Sequence, residues 1–133
     1  MATFIDDYGQ SHECADSNAR IVSLVPSITE LLYDLGLEKH VVGRTKFCIH
    51  PKAKIGRVSK LGGTKDVDLE SLERLAPTHV ILNIDENTLS TFESISKVVP
   101  NVIVTHPNTP EDNIGLYRLI GGIFNCSKNA ENL

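Results

Sequence analysis

Residues 20–37 read RIVSLVPSITELLYDLGL, a strand that runs into a proline and turns directly into a helix. Ile21 to Val25 is a short apolar run rich in β-branched residues, the composition of a strand buried on both faces of a parallel sheet. Pro26 is expected to end it, because proline has no N–H for a sheet ladder. Ser27 and Glu30 have the S-x-x-E spacing of a capping box, in which hydroxyl and carboxylate each satisfy an unpaired N–H of the first turn. Ile28, Leu31, Leu32 and Leu35 follow at i, i+3, i+4 and i+7, and Gly36 stands where a left-handed residue closes the helix.

Residues 61–82, LGGTKDVDLESLERLAPTHVIL, repeat the strand-and-helix theme one unit later. Between the two units, Val41 and Val42 start a second strand, and Thr45 to Ile55 read as a loop containing Phe47, Cys48, His50 and Pro51. Gly62 and Gly63 mark a turn with close backbone approach. Asp68 can cap the next helix, on which Leu69, Leu72 and Leu75 share a face, with Pro77 just beyond. His79 to Leu82 is a third strand and Asn83 to Asn87 a polar segment. Leu89, Phe92 and Ile95 mark a helix ending before Pro100, and Val102 to Val104 is a fourth strand.

Thr109-Pro110-Glu111-Asp112 has the form of a helix start: capping threonine, proline at the first position, acids in the first turn. In the helix that follows, Ile114, Leu116, Tyr117, Leu119, Ile120, Ile123 and Phe124 spread around most of the circumference, where a surface helix shows one stripe. Something else is expected to cover it. Either the chain self-associates through this last helix, or the helix begins a longer element packed by a further lobe.

The alternation implies βαβ units with right-handed crossovers: an α/β, three-layer lobe with a short parallel sheet of about four strands flanked by helices. Residues 1–19 are polar with no sustained period and read as an N-terminal arm, 20–108 as the lobe, and 109–133 as the start of the long last helix. Ligands of such sheets sit beyond the carboxyl ends of the strands. Those ends are Pro26-Ser27, Thr45 to Pro51, Asn83 to Asn87 and His106 to Asn108.

With 133 residues, 41% hydrophobic and 23% charged, the chain has the size and balance of one soluble domain or one lobe of a larger protein. Its net charge of -4 comes with dispersed basic residues, which disfavours a nucleic-acid partner. Cys14, Cys48 and Cys126 are an odd number with no C-x-x-C spacing, so a disulfide framework or a four-cysteine zinc site is disfavoured. The first residues have neither the basic start nor the apolar core of a secretory signal, and no run is long enough to span a membrane. As written, the chain is expected to stay in the cytoplasm.

Taken as a set, the RIVSLVPSITELLYDLGL start, the VVGRT second strand, the loop with Cys48 and Pro51, the Gly62-Gly63 turn before Asp68-Leu69-Glu70, and Leu75-x-Pro77-x-x-Val80-Ile81 carry a resemblance. The chain resembles the N-terminal lobe of the substrate-binding proteins of iron-siderophore, haem and vitamin B12 ABC importers, the helical-backbone metal receptors, with the cobalamin-binding branch most similar. The similarity runs from about Arg20 to Phe124. It implies a periplasmic or cell-surface protein of two lobes joined by one long helix, a metal chelate gripped between them, and an ABC permease as partner. On that pattern a second lobe would follow Leu133. The metal would arrive as part of the ligand, a cobalt- or iron-containing macrocycle, and not as a resident cofactor.

The resemblance carries roles onto particular residues. Pro26 and Ser27 would present a helix N-terminus to a polar or anionic group. Phe47 would pack on a corrin or porphyrin face, with Cys48 beside it. Gly62, Gly63 and Thr64 would let backbone approach the ligand. Asn83, Asp85, Glu86 and Asn87 would supply hydrogen bonds, and His106 would come from the neighbouring loop. Glu70 matches an acidic position suited to docking an arginine of the permease; the simpler account is a first-turn acid favoured by the helix dipole.

Other chemistries are weaker. Cys48, His50 and His106 are soft ligands, but a closed zinc site needs four donors at close range, and a half-buried thiol with two loop histidines explains them as well. His12 and Cys14 repeat the spacing in the polar arm. Ser27 lies at a strand-to-helix turn as a nucleophile would, yet lacks the G-x-S-x-G setting, and no phosphate-binding glycine motif occurs. Binding of a metal-bearing macrocycle is therefore the leading reading and catalysis is not expected. The alternative is a stand-alone flavodoxin-like interaction or regulatory domain that binds no macrocycle.

Overall fold

The computed structural model describes residues 3–6, 9–13, 15, 18–45, 58–61, 68–83, 89–105 and 112–124. In chain order the elements are β1 (Thr3–Ile5), β2 (Ser11–Glu13), β3 (Ile21–Ser23), α1 (Pro26–Asp34), a 3-10 turn (Glu38–His40), β4 (Val41–Arg44), β5 (Ser59–Lys60), α2 (Leu69–Leu75), β6 (His79–Asn83), α3 (Leu89–Ser96), β7 (Asn101–Thr105) and α4 (Asp112–Ile123). β1 and β2 form an antiparallel hairpin, and the other strands form one sheet in the order β5-β4-β3-β6-β7, all of its pairs parallel. That is one strand more than the expected four, because β5 is a two-residue strand, too short to show alternation in sequence.

Strand alternation sorts the core into two layers. Ile21, Ile81 and Ile103 face α1 and α4, where Ile28, Leu32, Leu35, Ile120 and Ile123 are buried with them. Val22, Val80, Leu82, Val102 and Val104 face the opposite side, against Leu72 of α2 and Ile95 of α3. Gly43 on β4 allows this second layer to close: a Cβ there would lie 2.9 Å from Val22 Cγ2 and 3.0 Å from methyl carbons of Leu61 and Leu75.

The turn from β3 into α1 departs from the expected capping box. The helix begins at Pro26 itself, Val25 is the N-cap, and no side chain caps it. Proline at the first helical position has its φ already set and lacks the N–H that would need a cap, so the N-cap falls at Val25, two residues earlier than Ser27. Ser23 and Thr29 hold the turn in place of the box, their hydroxyls donating to the Val25 carbonyl at 3.0 and 3.2 Å. The other end of α1 follows expectation. Gly36 has φ +78°, Gly36 N–H reaches the Tyr33 carbonyl and Leu37 N–H the Leu32 carbonyl, the two bonds of a Schellman motif.

The described residues of the N-terminal arm include the β1–β2 hairpin. The hairpin packs on α4, with Phe4 against Gly122, and the Ala15 N–H bonds the Ile123 carbonyl. Part of the apolar circumference of α4, expected to be covered by a second copy or a further lobe, is covered by the N-terminal hairpin. Among the described residues no helix is long and apolar enough to cross a membrane.

Candidate functional site

The strand order places a topological switch at the centre of the sheet. From β3 the chain winds outward through β4 to β5, then crosses back to β6 on the other side of β3 and continues to β7. Helices leaving adjacent strands β3 and β6 diverge there, which opens a crevice beyond their carboxyl ends. The N-termini of α1, α2 and α3 all lie along this edge, because they follow the carboxyl ends of the parallel strands β3, β5 and β6.

The amino edge is closed by the chain's own bonds. Arg20 donates from Nε (3.0 Å) and Nη2 (2.7 Å) to the Leu75 carbonyl at the end of α2, where Ala76 adopts the left-handed φ of 48°. Thr78 Oγ1 accepts from the Arg20 N–H at 2.9 Å, and Asn101 Nδ2 donates to the Thr78 carbonyl at 3.0 Å. His40 Nδ1 lies 2.9 Å from the Ala19 carbonyl.

The carboxyl edge is built differently. Each apolar strand ends there on polar residues: Ser23 after β3's valine, Arg44-Thr45 on β4, Asn83 on β6 and Thr105 on β7. Ser23, Arg44, Thr45 and Thr105 are buried and Asn83 is half-buried, so they form a polar floor at the carboxyl ends of the strands. Thr105 Oγ1 donates to the Leu82 carbonyl at 2.9 Å, and Arg44 Nε donates to the Val58 carbonyl at 3.2 Å. Arg44 is also within electrostatic reach of α1. Burial pushes the Tyr33 phenol above its ordinary pKa, the Glu38 charge adds to this, and the Arg44 charge opposes it. Arg44 thus brings a buried positive charge to the carboxyl end of β4.

Of the residues singled out from sequence, Pro26 opens α1, Ser27 is exposed on its first turn and Asn83 ends the adjacent β6. These share the crevice edge. Glu70 lies in the first turn of α2, with its side chain 83% exposed and only a 3.4 Å pair to Arg74 one turn on, a surface contact worth little. Asp68 caps that helix as expected, accepting from Ser71 Oγ at 2.8 Å and Ser71 N–H at 3.1 Å. The Ser71 hydroxyl and then its N–H hold the Asp68 carboxyl below its usual pKa. Phe47, Cys48, Gly62, Gly63, Thr64, Asp85, Glu86, Asn87 and His106 lie outside the described residues. His12 is engaged elsewhere, and among the described residues no three His, Cys, Asp or Glu side chains gather as metal ligands.

Arg44 and Thr105 are absent from the sequence-derived set, and Thr45 enters it only as the start of the loop after the second strand. Their signal is present in hindsight: an apolar β-branched run that breaks to a polar residue at its carboxyl end, as in VVGRT and NVIVT.

No curated protein matches the chain. Several solved structures share its fold. The haem-binding protein HmuT aligns with 98% of this chain and 43% of its own at 22% identity and a TM-score of 0.80. SirA of Staphylococcus aureus, in complex with staphyloferrin B, aligns with 99% of this chain and 45% of its own at 18% identity and TM-score 0.77. The periplasmic vitamin B12 binding protein BtuF of Vibrio cholerae aligns with 85% and 44% at 16% identity and TM-score 0.76. The chain therefore spans less than half the length of these proteins. A family model described as periplasmic binding protein matches residues 21–133, from the first strand of the sheet onward, and the chain belongs to that family.

Proposed function

We propose that this chain forms one lobe of an ABC-importer substrate-binding protein and that the lobe takes a metal-bearing macrocycle or chelate on its carboxyl edge. A corrinoid is the first choice of ligand, then haem or an iron-siderophore. The observation that carries the reading is the switch point between β3 and β6, where the α1 N-terminus at Pro26-Ser27 and the Asn83 end of β6 meet over the polar floor of Ser23, Arg44 and Thr105. The haem-binding, staphyloferrin B-bound and vitamin B12-binding proteins that share the fold support the ligand class.

In this reading Ser27 and the first-turn N–H groups of α1 meet an acidic or amide substituent of the ligand, with Arg44 supplying positive potential behind them. Phe47 stacks on the macrocycle, Cys48 and His106 flank it, and Gly62, Gly63 and Thr64 allow close backbone approach. Asn83, Asp85, Glu86 and Asn87 bond its polar periphery. Glu70, exposed on α2, docks a permease arginine. The role is capture and delivery, not catalysis.

Absorbance titration of the protein carrying this lobe with cyanocobalamin, haemin and a ferric siderophore tests the proposal. A saturable change of the visible band with one of them is expected, and absence of change with all three overturns it. The 133-residue chain by itself should bind weakly, because one wall buries too little of a large ligand. Micromolar or tighter binding by calorimetry would contradict that one-sided geometry.

A further inference from the structure

Among the described strands β7 is an edge strand, and its outer row of backbone groups needs partners. In a parallel ladder a single residue of the neighbouring strand serves two of them: its N–H donates to one carbonyl, and its C=O accepts from the N–H two residues on. On β7 that pair is the Val102 carbonyl and the Val104 N–H. The N-terminal hairpin fills both positions with side chains. Gln10 Nε2 donates to the Val102 carbonyl at 3.1 Å, and Asp6 Oδ2 accepts from the Val104 N–H at 3.1 Å.

The two side chains are locked to each other. Gln10 Nε2 also donates to Asp6 Oδ2 at 3.1 Å, the Gln10 N–H donates to Asp6 Oδ1 at 3.0 Å, and His12 Nε2 lies 2.7 Å from Asp6 Oδ2. The Asp6 side chain is fully buried, and Phe4 on Gly122 presses the same hairpin against α4. Yet β1 and β2 form a sheet of their own, so this is not strand addition.

We infer that Asp6 and Gln10 act together as a side-chain surrogate for one residue of a sixth strand, an edge guard that keeps β7 from pairing with a second copy of this chain. The second copy is the occupant that β7 itself favours. Asn101–Thr105 is five residues long with three β-branched apolar positions in its centre. Turned about a twofold axis through Ile103, Val102 of one copy meets Val104 of the other in two reciprocal bonded pairs, a self-complementary antiparallel junction.

Amide hydrogen exchange and sedimentation test the guard. In the unmodified chain the Val104 N–H should exchange within about tenfold of the Ile103 N–H, which points inward to β6. A Val104 amide exchanging as an open edge group, with Ile103 protected, overturns the inference. In the D6A/Q10A double variant, Val104 protection should fall and a concentration-dependent dimer should appear, while the unmodified chain stays monomeric. A folded double variant that remains monomeric across the concentration range also overturns it. If the double variant does not fold, the exchange comparison on the unmodified chain decides.

Discussion

The Val104 N–H donates to the Asp6 carboxylate at 3.1 Å, across a separation of 98 positions in the sequence. That bond and the one from Gln10 Nε2 to the Val102 carbonyl tie the first hairpin to the last strand of the sheet, and an apolar contact ties it to α4. A Cβ on Gly122 would fall inside the van der Waals surface of the Phe4 ring. Gly122→Ala should therefore destabilise the chain by about 1–3 kcal/mol, as overpacking does. In a double-mutant cycle the same change should cost much less once Phe4→Ala has removed the ring. Denaturant unfolding of the four proteins measures the coupling, and strictly additive effects would mean that the two residues do not meet.

Gly43 faces three side chains at 2.9–3.0 Å from where a Cβ would stand. Two belong to neighbouring buried positions, Val22 and Leu61, and cannot swing into solvent. Gly43→Ala should cost about 1–3 kcal/mol and shift the urea midpoint without changing the slope.

Asp68 gives a pH dependence with a definite sign. Its carboxyl is held below the ordinary value of 3.8 in the folded chain by the Ser71 bonds. A group with a depressed folded pKa stabilises the fold above its unfolded pKa, and that contribution is lost as pH falls through the folded value. Asparagine keeps the capping geometry but not the charge. The Tm of Asp68→Asn should thus lie slightly below that of the unmodified chain at neutral pH, with the gap closing below pH 3.8. Because the cap is exposed, salt should shrink the gap. A gap independent of pH would contradict the charge-assisted cap.

Ser27 is exposed on the first turn of α1 and does not cap it. A carboxylate placed there occupies the helix N-terminus that the ligand is proposed to use. Ser27→Glu should leave the Tm unchanged or slightly raised through the helix dipole, by a few tenths of a kcal/mol. It should weaken chelate binding by the protein carrying this lobe at least about tenfold, near 1.4 kcal/mol. Unchanged affinity would remove this turn from the site.

Much of this fold can be read from local pattern. IVSLV, VVGR, HVIL and NVIV are apolar β-branched runs, and Gly36 and Asp68 end and begin helices as their chemistry dictates. The departures have physical causes. Pro26 pre-empts the Ser27 box because a proline needs no cap for its missing N–H. The hairpin is hidden because its stabilising partners are backbone groups of β7, far along the chain, and side chains such as Asp6 and Gln10 look solvated until that edge is present. For the site, the carboxyl-edge placement of Pro26, Ser27 and Asn83 follows from strand order alone. The buried floor of Arg44, Thr45 and Thr105 does not, since a polar residue after an apolar run looks like an ordinary strand end until its burial is known.

Ligand is proposed to meet the carboxyl edge at the β3/β6 switch point. Amide chemical-shift mapping of the 133-residue chain tests it most directly, using diamagnetic probes at millimolar concentration: cyanocobalamin, gallium protoporphyrin and a gallium-loaded siderophore. The expected result is that one probe shifts Ser27, Thr45, Asn83 and Thr105 and leaves Thr78 and Asn101 on the amino edge unmoved. Shifts centred on the amino edge, or none from any probe, would contradict it.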